Sequence, residues 1–412
     1  MSIEKQRKVD VVEKVKLRVG DLRKGMYVCE LDRPWLETPF MLQGIEIKTD
    51  KDVELLCKYC EYVYIDLART KVVRIDIGTS PVRSFINDTR PVATAREMEQ
   101  ATVARDQTTD LVKSFIQEIH FGNSVDIQLA KASVSEYVAS VMRNPDAMMF
   151  LTQLRSKDEY ESEHAFNACI YSIVIGRLAG MRTYELENLA TCALLHDVGA
   201  IKIPDAILQK SGKLTPEEFE VVKQHPAWGR DILMSGRNLF TGTVDVAYGH
   251  HEAIDGSGYP RGLKGHQINL GSKIVAIADK YDAIISSRPY RLAHDHLHAT
   301  AVLNKQAANN LLDATLVRDF VNYLGIYPPG CLVRLSTGEA VIVLESNPNA
   351  RLKPQVLVVR DAANRPVEQF VDLAELTNDK QSQPCRIVSV HHTGEFGVDL
   401  GDYKDAILRS LR

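Results

Sequence analysis

The sequence predicts a multidomain protein with a small strand-rich (α/β) N-terminal domain, an all-α central domain and a short β appendage at the C-terminus. Three observations support this fold class. The chain has 412 residues, more than one ordinary hydrophobic core organises. The spacing of apolar residues changes along the chain from a strand pattern to a helical pattern and back. Segments rich in proline and small polar residues stand between these regions.

Residues 1–94 are predicted to form the strand-rich domain and a linker. Short runs of β-forming residues, of which Glu61-Tyr62-Val63-Tyr64-Ile65 is the clearest, alternate with glycine, proline and aspartate. From Thr79 to Thr94 the chain contains two prolines with several serines, threonines and an asparagine, and it shows no periodicity. We therefore place the end of the first domain in this segment.

Residues 95–325 are predicted to form the helical domain, because apolar residues recur there at helical spacing. One run predicts an amphipathic helix that His164 opens, with a single apolar face. This face contains Phe166, Ile170, Ile173, Val174 and Leu178. A further helix is predicted to begin at Pro216, directly after the capping residue Thr215.

Residues 326–412 are predicted to form the β appendage. After Tyr327-Pro328-Pro329-Gly330 the apolar pattern returns to a period of two. Two apolar runs, 332–335 and 340–343, flank Thr337-Gly338. Two such runs on either side of a short turn that contains glycine predict a β-hairpin.

Composition and charge favour a soluble globular protein. Hydrophobic residues make up 45% of the chain, charged residues 25%, and the net charge is −4. This balance offers no excess of positive charge for binding long nucleic acids. The apolar runs are far shorter than the roughly 20 residues that cross a membrane, and the N-terminus lacks the apolar core of a signal peptide. We therefore expect a cytoplasmic protein without a membrane span.

Histidines and aspartates that are far apart in the chain give the strongest functional signal. His196 and Asp197 stand side by side after an apolar run, and an imidazole beside a carboxylate can bind divalent transition metals. Asp279 lies in an otherwise apolar helix, where a buried carboxylate without a cation is costly. Each residue has a structural explanation when taken singly, but together they predict a metal site. The other candidates are His164, His225, His250 and His251.

Two stretches of the sequence resemble the signatures of the HD-GYP family. His196-Asp197 with Ile203-Pro204-Asp205 is similar to the first signature, and the residues from His250 to Pro260 are similar to the second. The likeness spans roughly residues 160–312. It implies an all-helical HD-type domain, phosphodiesterase activity towards cyclic di-GMP, and iron or manganese as cofactor. The N-terminal segment resembles the uncharacterised domain that precedes HD-GYP in many two-part bacterial proteins.

The resemblance also implies roles for individual residues. One metal would be held by His164, His196, Asp197 and Asp279, and the other by His225, His250, His251 and the shared Asp197. His196 and Asp197 would be the catalytic pair. The substrate would contact Lys202, Gly258, Tyr259, Arg288 and Arg291. In the family, the Gly258-Tyr259-Pro260 loop is also proposed to contact diguanylate cyclase domains, and a homodimer is one assembly that we consider.

Two positions depart from the family pattern. Ala200 stands where members usually have lysine, with Lys202 two residues further on, so a phosphate contact or a proton donor is in question. Tyr160 stands where some members have a glutamate that helps to hold a third metal. We therefore expect two metals in this chain and not three.

The leading hypothesis for function is hydrolysis of cyclic di-GMP to linear pGpG and onward to GMP. Hydrolysis of 3',3'-cyclic GMP-AMP is an alternative, because nothing in the sequence distinguishes a guanine pocket from an adenine pocket. A second alternative is a receptor or adaptor that binds a cyclic dinucleotide or a cyclase without cutting, and Ala200 favours it. The complete set of metal-binding side chains argues against this alternative.

Overall fold

The computed structural model describes residues 14–22, 24–33, 45–66, 94–120, 127–154, 160–208, 210, 212–235, 241–286, 293–347, 350, 352–375, 385–392 and 394–410. The chain divides into two compact units, Met1–Ile86 and Asn87–Arg412. The predicted linker lies almost entirely outside the described residues. The predicted domain boundaries at residues 94 and 325 stay predictions.

The described part of the first unit contains an antiparallel sheet and an α-helix. Its elements are β1 (Lys14–Arg18), β2 (Tyr27–Leu31), β3 (Ile45–Glu46), α1 (Asp50–Tyr59) and β4 (Tyr62–Asp66). The strands are ordered β1-β4-β2-β3. At the start of the helix, the Asp52 carboxylate accepts hydrogen bonds from the N–H groups of Lys48 and the N-cap residue Thr49. The buried side chains of Val28, Leu56 and Val63 form part of a hydrophobic core specific to this unit.

The second unit is mostly helical. Its helices before the C-terminal sheet are α2 (Thr94–His120), α3 (Ile127–Arg143), α4 (Pro145–Leu151), α5 (Tyr160–Leu178), α6 (Thr183–Leu194), α7 (Asp205–Leu208), α8 (Pro216–Val222), α9 (His225–Met234), α10 (Thr241–Gly249), α11 (Leu270–Ile285), α12 (His296–Ala308) and α13 (Ala314–Leu324). A short 3-10 helix, Val198–Lys202, lies between α6 and α7. Helix α8 begins at Pro216 after the Thr215 cap, as predicted.

Helix α5 lies in the middle of this unit and packs against α6 and α11. From Ser162 to Gly176 its residues are buried, with the exception of the half-buried Ala165. The prediction of an amphipathic helix with one buried face is wrong here, because neighbouring helices cover α5 on all sides. Since α5 begins at Tyr160, His164 lies in its second turn and does not open the helix.

The C-terminal region is an antiparallel sheet followed by a short helix. Its elements are β5 (Leu332–Leu335), β6 (Ala340–Glu345), β7 (Gln355–Arg360), β8 (Pro366–Asp372), β9 (Ile387–His391) and α14 (Lys404–Ser410), with strand order β8-β7-β6-β5-β9. The predicted hairpin is present, since β5 pairs with β6. One face of the sheet, with Leu332 and Ile342, joins the helical core, while Val333 and Val341 belong to a core on the other face.

The fold class predicted from the sequence is thus confirmed, with a helical domain between strand-rich N-terminal and C-terminal regions. None of the helices in the described part of the chain is both long enough and apolar enough to cross a membrane.

Candidate metal centre

The residues predicted as metal ligands lie together in the helical unit. They come from the second turn of α5, the turn after α6, the start of α9, the turn after α10 and the middle of α11. Their ligand atoms form three overlapping groups, and within each group the atoms lie within 4.8 Å of one another. The groups are His225, His250 and His251; His164, His196 and Asp279; and His196, Asp197 and His250.

Three of the histidines are oriented by the helix ends that precede them. His196, His225 and His250 each donate Nδ1–H to the backbone carbonyl three residues earlier, at 2.7, 2.7 and 3.0 Å. The last carbonyls of a helix have no partner within the helix and are available as acceptors. Since a carbonyl can only accept, Nδ1 carries the proton, and Nε2 of the neutral ring presents a lone pair. These rings are therefore in the form that binds a metal through Nε2.

The lone pairs face one another inside the cluster. His225 Nε2 lies 3.2 Å from His250 Nε2 and 3.1 Å from Asp197 Oδ1. With the neutral tautomers set by the Nδ1 contacts, these short distances bring acceptors together and not a donor with an acceptor. His196 Nε2 is buried without a hydrogen-bond partner among the described residues. A cation between such buried acceptors would remove their mutual repulsion.

His164 is oriented by a carboxylate and not by a carbonyl. Its Nδ1 lies 2.7 Å from Asp282 Oδ2, and its Nε2 lies 3.4 Å from Asp279 Oδ1. Burial lowers the pKa of His164, but the hydrogen bonds with Asp279 and Asp282 outweigh burial and raise it to about 10. Burial raises the pKa of Asp279, yet the hydrogen bond with His164 and the electrostatic interaction with His251 hold it well below its usual range. The carboxylates of Asp279 and Asp282 therefore favour a positive charge at the His164 side of the cluster.

His250 and His251 stay neutral. Burial and the neighbouring imidazoles of His251 and His196 lower the pKa of His250 well below its usual value. Burial and His225 lower the pKa of His251 to about 3, against the opposing effect of Asp279. Rings that do not take up a proton at neutral pH keep their lone pairs available to a metal.

Asp197 lies at an open side of the cluster. Burial raises its pKa, but the electrostatic interactions with the rings of His225, His196 and His250 outweigh burial and lower it. The carboxylate is therefore ionised. Its Oδ1 atom is buried, whereas the side chain as a whole is 37% exposed. One oxygen thus faces the cluster, and the rest of the side chain is accessible to a molecule that approaches from solvent.

A close backbone contact holds Asp197 beside His225. The 3-10 helix that follows Asp197 packs against α9, and Gly199 is the point of contact. A Cβ at Gly199 would lie 2.0 Å from the carbonyl oxygen of His225 and 2.4 Å from the nitrogen of Gly229. Only glycine fits at this position with the present backbone.

The loop after His251 places an aromatic ring against the cluster. The ring of Tyr259 stacks on the imidazole of His251 with centroids 4.7 Å apart, and the Tyr259 N–H donates to the His251 carbonyl at 3.1 Å. Gly258 allows the loop to turn closely, since a Cβ there would lie 2.2 Å from the nitrogen of Ala253. The predicted substrate contacts Gly258 and Tyr259 are therefore adjacent to the cluster.

The carboxylate of Glu252 fixes the shape of this loop. Its two oxygens accept hydrogen bonds from the N–H groups of Arg261 and Leu263, each at 2.8 Å. The Glu252 side chain is fully buried. No role was predicted for Glu252 from the sequence, although its position directly after His250-His251 could have marked it as a residue of the site.

The other predicted site residues are not brought into the cluster by any described contact. Lys202 is exposed at the end of the 3-10 helix. Ala200 lies in the same helix, where its N–H donates to the Asp197 carbonyl at 2.8 Å. Arg288 and Arg291 lie outside the described residues, and only the backbone of Tyr160 lies within them.

The sequence interpretation also missed Asp282, whose carboxylate binds His164. Asp282 follows Asp279 by three residues on α11, so the two share a helix face. A second aspartate at this spacing in an otherwise apolar helix was the signal that could have identified it.

Comparison with known proteins identifies three regions of the chain. A model of the HD domain matches residues 86–316, and a domain of unknown function, DUF3391, matches residues 14–130. A KOW domain associated with HD domains matches residues 332–393.

Three characterised relatives illustrate the similarity. A cyclic di-GMP phosphodiesterase of Pseudomonas aeruginosa is 34% identical over 376 residues, which cover 87% of this chain and 88% of the relative. A cyclic di-GMP phosphodiesterase of Thermotoga maritima is 48% identical over 120 residues, 28% of this chain and 33% of the relative. A 3'3'-cGAMP-specific phosphodiesterase of Vibrio cholerae is 35% identical over 150 residues, 36% of this chain and 32% of the relative. The HD-domain match covers more than half of the chain, and one relative aligns along most of both sequences. The chain therefore belongs to the HD-GYP type of HD-domain proteins and is a metal-dependent phosphodiesterase with a DUF3391 domain at its N-terminus.

Proposed function

We propose that this chain hydrolyses cyclic di-GMP at a pair of divalent metal ions. The observation that supports this proposal most is the convergence of seven imidazole and carboxylate side chains, in which Nε2 of His196, His225 and His250 faces inward as an acceptor. Such a set has no evident structural use without cations, because buried acceptors that face one another are unfavourable.

In this proposal the seven ligands divide around Asp197. One metal is held by His164, His196, Asp197 and Asp279, and the other by His225, His250, His251 and Asp197. Asp197 is suited to the shared position because it lies 3.1 Å from His225 Nε2 and in a group with His196 and His250. We favour iron or manganese, although histidine and carboxylate ligands suit several transition metals.

Bound metals of this kind polarise a phosphate oxygen and lower the pKa of water, so hydrolysis needs no separate side-chain nucleophile. The chain supplies the rest. The helix-end carbonyls keep Nε2 of His196, His225 and His250 unprotonated and aimed inward. The exposed part of Asp197 lies where a phosphodiester can approach, and the ring of Tyr259 beside His251 limits the space on that side.

The choice of substrate rests on the relatives. The relative aligned along most of its length is a cyclic di-GMP phosphodiesterase. A second candidate substrate is 3',3'-cyclic GMP-AMP, because a relative specific for it is 35% identical over 150 residues.

The test is an assay on protein purified without air and loaded with Fe²⁺ or Mn²⁺. We expect chromatography to show conversion of cyclic di-GMP to linear pGpG and then GMP, faster than any conversion of 3',3'-cyclic GMP-AMP in parallel. Asp197→Ala, which removes the shared carboxylate, should lose both metal retention and turnover. Tight dinucleotide binding by the loaded protein without product would replace hydrolysis with the receptor or adaptor hypothesis.

A further inference from the structure

His164 differs from the other oriented histidines in the way its ring is held. His196, His225 and His250 follow helix ends and use carbonyls that the helix leaves available. His164 lies inside α5, where backbone carbonyls accept from the N–H four residues later. It therefore needs an acceptor from another part of the chain.

Asp282 supplies this acceptor. Asp282 is fully buried, and its Oδ2 atom lies 2.7 Å from His164 Nδ1. Its other oxygen, Oδ1, accepts from Asn167 Nδ2 at 2.9 Å. Asn167 lies three residues after His164 on α5, so the same helix provides the ring and the group that fixes its acceptor.

We propose that Asp282 is a positioning residue for the metal held by His164. It fixes the ring orientation and keeps the proton on Nδ1, so Nε2 points towards Asp279 and the cluster. Carboxylates that hold a metal-binding histidine in this way typically change metal affinity about 10- to 100-fold when removed. The proposal rests on the metal-binding role proposed for the cluster.

The proposal predicts an asymmetric effect on the two metals. Asp282 contacts His164, whereas His225, His250 and His251 form a separate group of ligand atoms. Removing Asp282 should weaken the metal position that contains His164 and leave the other close to wild type. A general loss of packing would weaken both positions together.

The experiment is a Mn²⁺ titration of the full chain, in which electron paramagnetic resonance measures free Mn²⁺. Wild type should bind two equivalents. Asp282→Ala should weaken one equivalent about 10- to 100-fold. Asp282→Asn retains an oxygen acceptor for Nδ1–H and should recover much of this loss. Asn167→Ala, which removes only the support of Asp282, should have a smaller effect on the same equivalent.

Several outcomes would overturn the proposal. One is an unchanged titration in Asp282→Ala, and another is equal weakening of both equivalents. A third is an equal loss of affinity in Asp282→Ala and Asp282→Asn, because this would assign the effect to charge and not to position. If Asp282→Ala does not fold by circular dichroism, Asp282→Asn and Asn167→Ala carry the test. Failure of the proposed function is seen separately, as wild-type protein that binds no Mn²⁺ or that binds it without cutting cyclic di-GMP.

Discussion

Two largely enclosed carboxylates in the helical unit have opposite electrostatics. Asp279 lies on α11 in the candidate metal centre, with 13% of its side chain exposed. Asp146 lies in the first turn of α4, close to Glu345 at the end of β6. Burial raises the pKa of both, but His164 and His251 hold that of Asp279 well below its usual range. At Asp146, burial and the charge of Glu345 raise the pKa to about 6, despite hydrogen bonds with Tyr323 and Ser346.

Burial alone therefore does not identify a functional carboxylate. A carboxylate enclosed with another acid takes up a proton more readily, whereas one enclosed among imidazoles stays ionised. Because imidazole Nε2 and carboxylate oxygens are both metal ligands, the second environment is also suited to a cation. Asp279 and Asp146 therefore allow the same substitution to be tested in two opposite settings.

The largest effect is expected from Asp279→Asn. The change removes a negative ligand from the metal centre, and losing several kcal/mol of metal-derived stabilisation corresponds to roughly a thousandfold or more in rate. We therefore expect turnover of the metal-loaded enzyme to fall at least by about this factor. Elemental analysis measures the metal content of the variant, and the phosphodiesterase assay measures its turnover.

Asp146→Asn is the matched control for this loss. The same change of carboxylate to amide, at a side chain that interacts with Tyr323, Ser346 and Glu345, should leave metal content and turnover at the wild-type level. The comparison would be broken if Asp279→Asn kept its metal, or if both variants lost activity to the same extent.

Gly199→Ala changes the distance between Asp197 and His225 and not their charges. In Gly199→Ala the new Cβ would lie 2.0 Å from the His225 carbonyl, so α9 must move away from the residues that follow Asp197. Such overpacking typically costs about 1 to 3 kcal/mol of stability. We expect a lower unfolding temperature and weaker Mn²⁺ binding, measured by thermal unfolding and by titration.

Gly229→Ala tests the same contact from the other side. A Cβ at Gly229 has its nearest neighbour, the nitrogen of Gly199, at 3.3 Å, which a small shift can accommodate. It should therefore retain most of the metal affinity that Gly199→Ala loses. Wild-type Mn²⁺ affinity in Gly199→Ala would mean that the contact does not set the position of His225.

The parts of the fold that the sequence revealed are those in which local chemistry decides the structure. The start of α8 follows from Thr215 and Pro216, whose capping and backbone preferences act within one turn. The β5–β6 hairpin follows from two apolar runs around a glycine turn. Strand β8 was missed because all of its residues are exposed or half-buried, so no apolar alternation marks it.

The candidate site likewise contains residues that the sequence reveals and residues that only the folded structure reveals. Its seven predicted ligands could be chosen by residue type and by resemblance, because histidines and aspartates in apolar surroundings are unusual. The spacing of Asp282 from Asp279 marks it as a candidate, but its role could not be predicted, since its partner His164 is 118 positions away in the chain. The requirement for glycine at position 199 likewise arises from a backbone approach between separate segments.

The smallest effect concerns Asp146 itself and its dependence on pH. The pKa of Asp146 is about 6 in the folded chain, against a usual value of 3.8. Between these pH values the folded state holds a proton that the unfolded state has released. The protonated carboxyl therefore contributes stability that is fully present below about pH 4 and is lost as the pH rises through about 6.

Asp146→Asn resembles the protonated carboxyl at every pH, so it should match wild type near pH 4 and exceed it by about 1 to 3 kcal/mol near pH 8. Urea unfolding can be followed through Trp228 in α9, in a Trp35→Phe background that removes the other tryptophan. Glu345→Gln should stabilise the chain in the same direction but less, because it removes the neighbouring charge and leaves the burial of Asp146 unchanged. An equal difference between Asp146→Asn and wild type at both pH values would assign the effect to packing, and the electrostatic contrast with Asp279 would then fail.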